Sequence, residues 1–207
     1  MKKNVLYLVV VAIAFFLTSC GGKPENTIKN LTAAYNGEST ASAKYAKFAE
    51  KAREDSLFAI AVMFESTSRA EAIHADNHKK VLEKLGAVVE APVIETFEVK
   101  TTVENLADAS KGESYEISTM YPEFIVAAET EGAKDAVKTF TWALDTEKKH
   151  NEFYQKAIGE LTAGNKDTQL PKKWFVCPIC GNTYDDATVK ASCDFCSTAQ
   201  DKYEVFE

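Results

Sequence analysis

The stretch Glu147-Lys148-Lys149-His150 places a carboxylate and an imidazole at positions i and i+3. Such positions lie on one face of an α-helix, so both side chains can reach the same point. The same spacing recurs at Glu71-Ala72-Ile73-His74, and a version with two carboxylates occurs at Glu113-Ser114-Tyr115-Glu116. Together with a lone Glu38, these stretches predict a cluster of metal-binding side chains.

The order of these groups along the chain predicts how the helices are arranged. The interval from Glu38 to Glu71 is nearly the same as the interval from Glu113 to Glu147. Each half of the chain therefore contains a helix that carries Glu, followed by a helix that carries Glu-x-x-His. Two such halves predict an antiparallel four-helix bundle of near two-fold symmetry, with the ligand pattern of di-iron carboxylate proteins. Oxygen-rich ligation with two imidazoles suits iron or manganese.

Apolar residues recur around each of these groups with the 3–4 spacing of packed helices. The predicted bundle spans residues 27–161, with main helices at residues 27–53 and 56–85, a third that starts near Glu113 and a fourth at residues 133–161, the last two separated by Gly132. Glu38 falls on the apolar seam of the first helix, where a carboxylate is strongly unfavourable unless it is paired or bound to metal. His78 lies on or beside the seam of the second helix, and we expect it to be a packing or surface histidine, not a ligand.

The connections between these helices are also predicted. Residues 86–101 are expected to form an extended crossover between the two helix pairs, which lets a bundle depart from simple up-down order. Thr102 is expected to cap a short helix that ends at Ala109, and Gly112 is expected to break or bend the chain. Pro122 lies inside the third main helix and is expected to bend it.

The N-terminal segment, residues 1–20, predicts an export signal. Two lysines precede an apolar run from Val5 to Leu17, which is typical of a signal peptide and short for a membrane-spanning helix. The run ends at Leu17-Thr18-Ser19-Cys20, which resembles the lipobox of bacterial lipoproteins. We expect cleavage before Cys20, lipidation of that cysteine and a tether at residues 21–26. An uncleaved anchor and an ordinary secretory signal are the alternatives.

The predicted location follows from this leader, and the charge limits the partners. The mature chain is expected to be exported and anchored by lipid to a bacterial membrane, facing the periplasm or the cell surface. The 207 residues include 31 Asp and Glu against 24 Lys and Arg, a formal net charge of −7. A nucleic-acid-binding domain needs a basic face, so this balance argues against nucleic acid as a partner.

The last part of the chain, residues 172–207, follows a polar linker at residues 162–171 and differs in composition. It holds two Cys-x-x-Cys pairs, Cys177/Cys180 and Cys193/Cys196, and it is too short to form a stable core without a metal. Four thiolates on two turns predict a tetrahedral site for iron or zinc, and the spacing does not decide between the two metals. The small aromatic core of this domain is predicted to consist of Trp174, Tyr184, Phe195 and Phe206.

A Glu/His bundle followed by a four-cysteine domain resembles the rubrerythrin family over residues 27–207. The resemblance is carried by the motifs above together with Gly37-Glu38-Ser39, Gly112-Glu113 and Met120-Tyr121-Pro122. It implies a mainly α fold: a ferritin-like four-helix bundle with a long crossover, then a rubredoxin-like domain. The chain departs from the family pattern at Asp194 and Ser197 in the second cysteine turn, and in its lipoprotein-like leader.

The resemblance also implies the residues of both metal sites. Two non-haem iron ions would be bound in the bundle by Glu38, Glu71, His74, Glu113, Glu116, Glu147 and His150. One further iron would be bound by Cys177, Cys180, Cys193 and Cys196. Tyr45 and Tyr121 would hydrogen-bond to ligating carboxylates and complete the catalytic site. In the family one iron exchanges a histidine for a glutamate, and by position these are His74 and Glu116.

The activity that the resemblance implies is the reduction of hydrogen peroxide to water, as a defence against oxidative stress. Electrons would pass through the four-cysteine iron from a reductase or rubredoxin-like donor that the sequence does not identify. Because the two sites of one chain are expected to lie far apart, a head-to-tail homodimer is also implied. The alternatives are a ferroxidase or iron-binding bundle with a structural zinc in the four-cysteine domain, and a lipid-anchored scaffold with vestigial metal sites.

Overall fold

The computed structural model describes residues 22–207, so the predicted signal peptide, its lipobox and Cys20 lie outside the described residues. The described chain is mainly helical, which confirms the predicted fold class. Its helices are α1 (Glu25–Glu54), α2 (Phe58–Lys84), α3 (Thr102–Tyr115), α4 (Tyr121–Thr130) and α5 (Lys134–Thr162). Its strands are β1 (Trp174–Val176), β2 (Thr183–Asp185) and β3 (Glu204–Phe206). Among residues 22–207, no helix is both long enough and apolar enough to span a bilayer.

The bundle consists of α1, α2 and α5, with α3 and α4 following each other in the remaining position. Gly86 adopts a φ of +71° just after α2, as expected of a glycine that ends a helix. Residues 87–101 then cross to α3 without regular secondary structure. The crossover is held against α1, because the backbone N–H of Val93 donates to Asn36 Oδ1 at 3.0 Å and that of Glu95 donates to Thr40 Oγ1 at 3.1 Å.

The apolar core of the bundle is divided into two clusters. One surrounds Phe48 and Phe64, and the other surrounds Leu31 and Phe140. On α1, α2 and α5, the predicted ligand residues lie in sequence between the members of the first cluster and those of the second. The fold therefore places a layer of charged groups across the middle of the bundle, with aromatic and aliphatic packing on both sides.

The prediction for the short helix after the crossover was wrong about its N-cap, which is Thr101 and not Thr102, about its end and about a break at Gly112. α3 does not end at Ala109 and is not broken at Gly112, since it runs without interruption to Tyr115. Its N-cap is Thr101, whose hydroxyl accepts from the Glu104 backbone N–H while the Glu104 carboxylate accepts from the Thr101 N–H, a capping box. Gly112 lies inside this continuous helix, and a Cβ added there would be in ordinary contact, 3.9 Å from the Tyr45 hydroxyl oxygen.

The irregularity in this helix is located just before Pro122. Residues Glu116–Met120 form a π-helical turn that joins α3 to α4, and Pro122 lies in the first turn of α4. Proline has no N–H to donate to the preceding turn, so the helical hydrogen-bond ladder is interrupted here. π-helical turns are frequent at functional sites, and this one carries Glu116.

The C-terminal domain, residues 172–207, contains a three-stranded antiparallel sheet in the order β2-β1-β3. Trp174 of β1 pairs with Asp185 of β2 and with Phe206 of β3. The sheet is packed against α2 of the same chain. Arg69 of α2 makes two hydrogen bonds of 2.7 Å to the Glu204 carboxylate of β3, which fixes the sheet on the bundle.

The predicted aromatic core of this domain is divided between two places. Tyr184 stacks on Tyr203 beside the cysteines, with ring centroids 5.7 Å apart and an interplanar angle of 9°. Trp174 instead packs into the bundle, 4.6 Å from the ring centroid of Phe153. Phe195 lies with the cysteines, and Phe206 packs against the bundle cluster. The difference arises because the sheet is covered by the bundle, so its aromatic side chains complete the larger core.

Candidate metal centres

Four elements of the bundle bring six of the seven predicted ligands together. They form two groups of four residues whose ligand atoms lie within 4.8 Å of one another: Glu38, Glu71, His74 and Glu147; and Glu71, Glu113, Glu147 and His150. All six side chains are at most 1% exposed. Each group has one imidazole and one carboxylate of its own, while Glu71 and Glu147 belong to both groups. This is the arrangement of two neighbouring metal positions with two shared carboxylates.

The shared carboxylates contact the two imidazoles in a nearly symmetric way. Glu71 places Oε2 at 3.0 Å from His74 Nδ1 and Oε1 at 3.0 Å from His150 Nδ1. Glu147 places Oε1 at 3.0 Å from His74 Nδ1 and Oε2 at 2.8 Å from His150 Nδ1. The two Glu-x-x-His stretches therefore act as the sequence predicts, with each carboxylate reaching its own histidine and the histidine of the other stretch.

These short distances do not amount to a satisfied hydrogen-bond network. Both Glu147 oxygens, Glu71 Oε1, Glu38 Oε2 and His150 Nδ1 are buried without a well-aligned hydrogen-bond partner. Buried polar atoms are nearly always paired, and such a concentration of exceptions needs an explanation. A cation bound by each of the two ligand groups would satisfy these atoms. The donor set, rich in carboxylate oxygen with one imidazole for each group, fits iron or manganese.

Two tyrosines orient the carboxylates that are not shared. The Tyr45 hydroxyl donates to Glu113 Oε1 at 2.7 Å, and the Tyr121 hydroxyl donates to Glu38 Oε1. Both tyrosines are buried and belong to the aromatic packing on either side of the charged layer. These are the contacts that the family resemblance implies for Tyr45 and Tyr121.

Glu116 is the predicted ligand that the structure leaves outside both groups. It is half-buried in the π-helical turn, beside the cluster. Burial, and then the charges of Glu38 and Glu113, raise the pKa of its carboxyl well above the ordinary value. Glu116 therefore stands next to the two metal positions as a side chain that can hold a proton.

Burial sets the protonation of the metal-free cluster. Burial first, and then the nearby Glu147 and Glu71 charges, raise the pKa of Glu38 and of Glu113 well above their ordinary value. Burial also opposes the charge on Glu147, but the His74 and His150 imidazoles outweigh it and lower the pKa of Glu147 to about 2. In metal-free protein, protons thus occupy part of the cluster that cations would neutralise.

His78 is a buried packing residue, which is one of the two alternatives expected for it. Its ring lies 5.3 Å from that of Phe140, and its Nε2 lies 3.2 Å from the Tyr121 hydroxyl. Since that hydroxyl donates to Glu38, His78 Nε2 is the donor and Nδ1 accepts from Thr139 Oγ1 at 3.3 Å. Burial and the His74 charge lower the pKa of His78 to about 3. The sequence did not reveal that His78 hydrogen-bonds to Tyr121. The i+4 spacing indicates only that His78 and His74 lie on the same face of α2.

The stability of metal-free protein is expected to fall as the pH rises from about 6.5 to 10. The pKa of His150 is raised to about 10 by Glu71 and Glu147 against the effect of burial, so its contribution is complete below 6.5 and lost as the pH passes 10. Raised carboxyl pKa values at Glu38 and Glu113 act in the same direction. The depressed pKa values of His78 and Glu147 affect stability only below about 6.5.

Denaturation midpoints followed by circular dichroism of the helices test this expectation. Metal-loaded protein serves as the control and should not lose stability over the same range, because metal ions require deprotonated ligands. A metal-free protein whose midpoint rises from pH 6.5 to 9 would contradict the burial of this cluster.

The four predicted cysteine ligands also come together. Cys177 Sγ lies 3.4 Å from Cys196 Sγ, Cys180 Sγ lies 3.4 Å from Cys193 Sγ, and the four sulfurs form one group within 4.8 Å. All four are free thiols. Gly181 adopts a φ of +80° after the first pair, a backbone conformation that glycine adopts without steric cost. The sulfur set fits a single tetrahedral iron or zinc ion.

The two candidate centres adjoin each other within one chain. A Cβ built on Gly181 would lie 2.4 Å from His74 Nε2, so the first cysteine turn rests directly on an imidazole of the bundle cluster. Lys149 Nζ donates to Asn182 Oδ1 at 2.6 Å beside the same contact. The separation that led us to expect a second chain is therefore not seen here. Sequence reasoning missed this contact because nothing in the local pattern indicates where the domain rests.

Comparisons with known proteins agree with this architecture. The family model for rubrerythrin matches residues 29–158. Nigerythrin from Nitratidesulfovibrio vulgaris is 35% identical over 181 residues, which cover 87% of this chain and 87% of that protein. Rubrerythrin-2 from Clostridium acetobutylicum is 34% identical over 179 residues, which cover 85% of this chain and 94% of that protein.

A solved structure extends the similarity to the C-terminal domain. Nigerythrin in a fully reduced, all-ferrous state superposes with a TM-score of 0.78 at 33% identity, covering 99% of this chain and 100% of that chain. A ferritin from Archaeoglobus fulgidus has a TM-score of 0.60 at 14% identity, covering 70% of this chain and 89% of that chain. That second similarity extends to the fold alone.

Proposed function

Because this chain belongs to the rubrerythrin family, we propose that it is a redox enzyme that reduces hydrogen peroxide to water at a di-iron centre, in defence against oxidative stress. The observation that carries the proposal is the doubled group of buried, unsatisfied ligand atoms lying directly against a four-thiolate site. Iron is proposed for both sites because the similar nigerythrin structure is described as all ferrous. When bound, two ferrous ions would supply the two electrons and the Lewis acidity for cleaving the O–O bond.

The side chains of the cluster would hold these ions in a fixed pair. Glu71 and Glu147 each place one oxygen near each of the two imidazoles, so both carboxylates would take part in holding both ions. Tyr45 and Tyr121 hold the outer carboxylates in place by hydrogen bonds. The layer is closed off from water by the aromatic clusters above and below, which strengthens electrostatic interactions within it.

The reaction consumes two electrons and two protons for each peroxide and yields two water molecules. Glu116 is placed to hold one of these protons at its carboxyl, because it lies beside both groups and its pKa is raised by burial. His74 belongs to the ligand group and Glu116 lies outside it, which fits one of the two states of the ligand exchange that the family resemblance implies.

The four-cysteine site would return electrons to the bundle one at a time. Its first turn, at Gly181, touches His74 of the same chain, which supports a short path for the electron. A reductase or rubredoxin-like protein is the proposed donor to this site. A head-to-tail homodimer and a lipid anchor at Cys20 are further proposals, the first from the family resemblance and the second from the leader sequence.

A peroxide titration separates this function from the alternative of a ferroxidase with a structural zinc. Anaerobic, iron-loaded, chemically reduced protein is mixed with hydrogen peroxide, and consumed peroxide is compared with the absorption of the ferric four-thiolate site. We expect peroxide to be consumed in proportion to protein and the thiolate-bound iron to be oxidised. A colourless four-cysteine site, together with oxidation of added ferrous iron in excess of the bound iron, would favour the ferroxidase.

A further inference from the structure

We propose that Thr183 of the C-terminal domain is a positioning residue for the bundle metal site, because its hydroxyl fixes the His150 imidazole with Nδ1 facing the metal. The inference rests on the proposed function only in requiring that the bundle binds metal. It assigns the C-terminal domain a second role, as part of the structure that prepares the bundle site. Thr183 lies outside the two ligand sets and is not among the residues that the family resemblance implies.

The two hydrogen bonds of the Thr183 hydroxyl show which partner donates in each. Its Oγ1 donates to the Gly181 carbonyl at 3.0 Å and lies 3.0 Å from His150 Nε2. A threonine hydroxyl has one hydrogen, which the carbonyl takes, so the hydroxyl must accept from His150 Nε2–H. The donor on Nε2 leaves Nδ1 to the cluster, where it faces Glu71 and Glu147 at 3.0 and 2.8 Å. A second hydrogen bond of this kind orients a metal-binding histidine and fixes its tautomer.

The position of Thr183 is itself set by the four-cysteine turn. Thr183 begins β2 and pairs with Val176 of β1, and it is completely buried. The Cys177 backbone N–H donates to the Asn182 carbonyl at 3.0 Å, which closes the cysteine turn directly before Thr183. A metal in the thiolate site would therefore stiffen the segment that holds His150. The two centres are linked through Thr183 as well as by proximity.

The two bundle histidines are supported differently. His150 Nε2 has the Thr183 hydroxyl, whereas His74 Nε2 is buried without a hydrogen-bond partner and rests against Gly181. Of these two imidazoles, His150 alone is thus anchored on the side away from the cluster. The geometry therefore makes His150 the imidazole whose ring orientation is set by a hydrogen bond from the C-terminal domain, whereas His74 is held there by packing alone.

Metal binding by three full-length variants tests the role of the hydroxyl. Thr183→Val keeps the shape and removes the hydrogen bond, Thr183→Ser keeps the hydroxyl, and Thr168→Val removes an exposed threonine elsewhere in the chain. Cobalt(II) titration is read from the weak visible bands of the carboxylate–imidazole site, which are distinct from the intense thiolate bands of the four-cysteine site. Removing a hydrogen-bond partner that orients a metal ligand typically costs about 10–100-fold in affinity, and we expect that loss for Thr183→Val.

Thr183→Ser distinguishes a positioning role of the hydroxyl from a packing role of the side chain. Thr183→Ser and Thr168→Val should bind cobalt in the bundle as wild type does, with unchanged visible bands. Wild-type affinity in Thr183→Val, or an equal loss in Thr183→Ser, would overturn the inference. Peroxide plays no part in this measurement. A protein that shows the expected cobalt pattern but does not reduce peroxide would contradict the proposed function and leave the role of Thr183 intact.

Discussion

Replacing Glu147 by Gln is expected to abolish the di-iron site and with it peroxide reduction. Glu147 is one of two carboxylates shared by both ligand groups, and each of its oxygens faces a different imidazole. An amide offers one oxygen and one NH₂ group, so one of the two metal positions would face a donor instead of a lone pair. Because loss of a partner that merely orients a ligand costs about 10–100-fold in metal affinity, loss of a shared ligand should cost at least about 100-fold.

Glu152→Gln is the matched control for this change. Glu152 lies further along the same helix and is exposed. Iron content and the rate of peroxide consumption by reduced protein should be normal in Glu152→Gln and both should collapse in Glu147→Gln. Retention of two bundle irons in Glu147→Gln would mean that Glu147 is not a shared ligand.

The second large effect is expected from Cys193→Ser. The C-terminal domain has few buried apolar residues apart from its cysteines and a tyrosine pair, so the metal must hold much of it together. A structural thiolate metal site contributes about 10–16 kcal/mol in zinc-finger peptides, which is more than a domain of this size can replace. Loss of one thiolate should therefore unfold the domain and stop the supply of electrons to the bundle.

In Cys193→Ser, the consumption of peroxide by the bundle can be measured separately from the re-reduction of the bundle through the four-cysteine site. At an iron concentration that saturates the bundle, chemically reduced Cys193→Ser should still consume hydrogen peroxide once. Repeated turnover with an electron donor should fall by at least about 100-fold, since loss of a direct ligand costs more than loss of a residue that orients one. Ser192→Ala, at the exposed neighbouring position, is the control and should turn over normally. Unchanged turnover in Cys193→Ser would exclude the four-cysteine site from electron transfer.

The sequence predicted the ligand layer well because helical periodicity and ligand spacing are local properties. Glu-x-x-His at 71–74 and at 147–150 requires only that each stretch be helical, and both stretches are. The Cys-x-x-Cys pairs are similarly local, since each forms one turn. The fold class followed from the same periods, together with the long crossover after Gly86.

The sequence was less informative where the outcome depends on tertiary contacts. Glycine is a weak helix former, and the pattern alone gave no sign that Gly112 lies inside a continuous helix that packs against α5. The π-helical turn at Glu116–Met120, just before Pro122, was likewise not predicted from the helical pattern. A prediction from helical periodicity assumes one period along the whole helix. It therefore does not detect the single extra residue of a π-helical turn.

Contacts between the two domains could not be predicted at all. Thr183 is distant from His150 in the sequence, and no short motif connects a strand of a four-cysteine domain to a bundle histidine. Trp174 was assigned to the wrong core for the same reason, because an apolar side chain does not indicate which surface will cover it. The contacts that Thr183 and Trp174 make with the bundle are seen only in the folded structure.

Anomalous X-ray diffraction from iron-loaded crystals tests the central claim most directly, because it locates the metals among the buried carboxylates and imidazoles. We predict two iron peaks about 3.5–4 Å apart between Glu71 and Glu147, the spacing of paired metal sites, and a third peak among the four cysteine sulfurs. Crystals with no iron signal between Glu71 and Glu147, and with the two glutamates hydrogen-bonded to the histidines alone, would contradict a di-iron centre in this bundle.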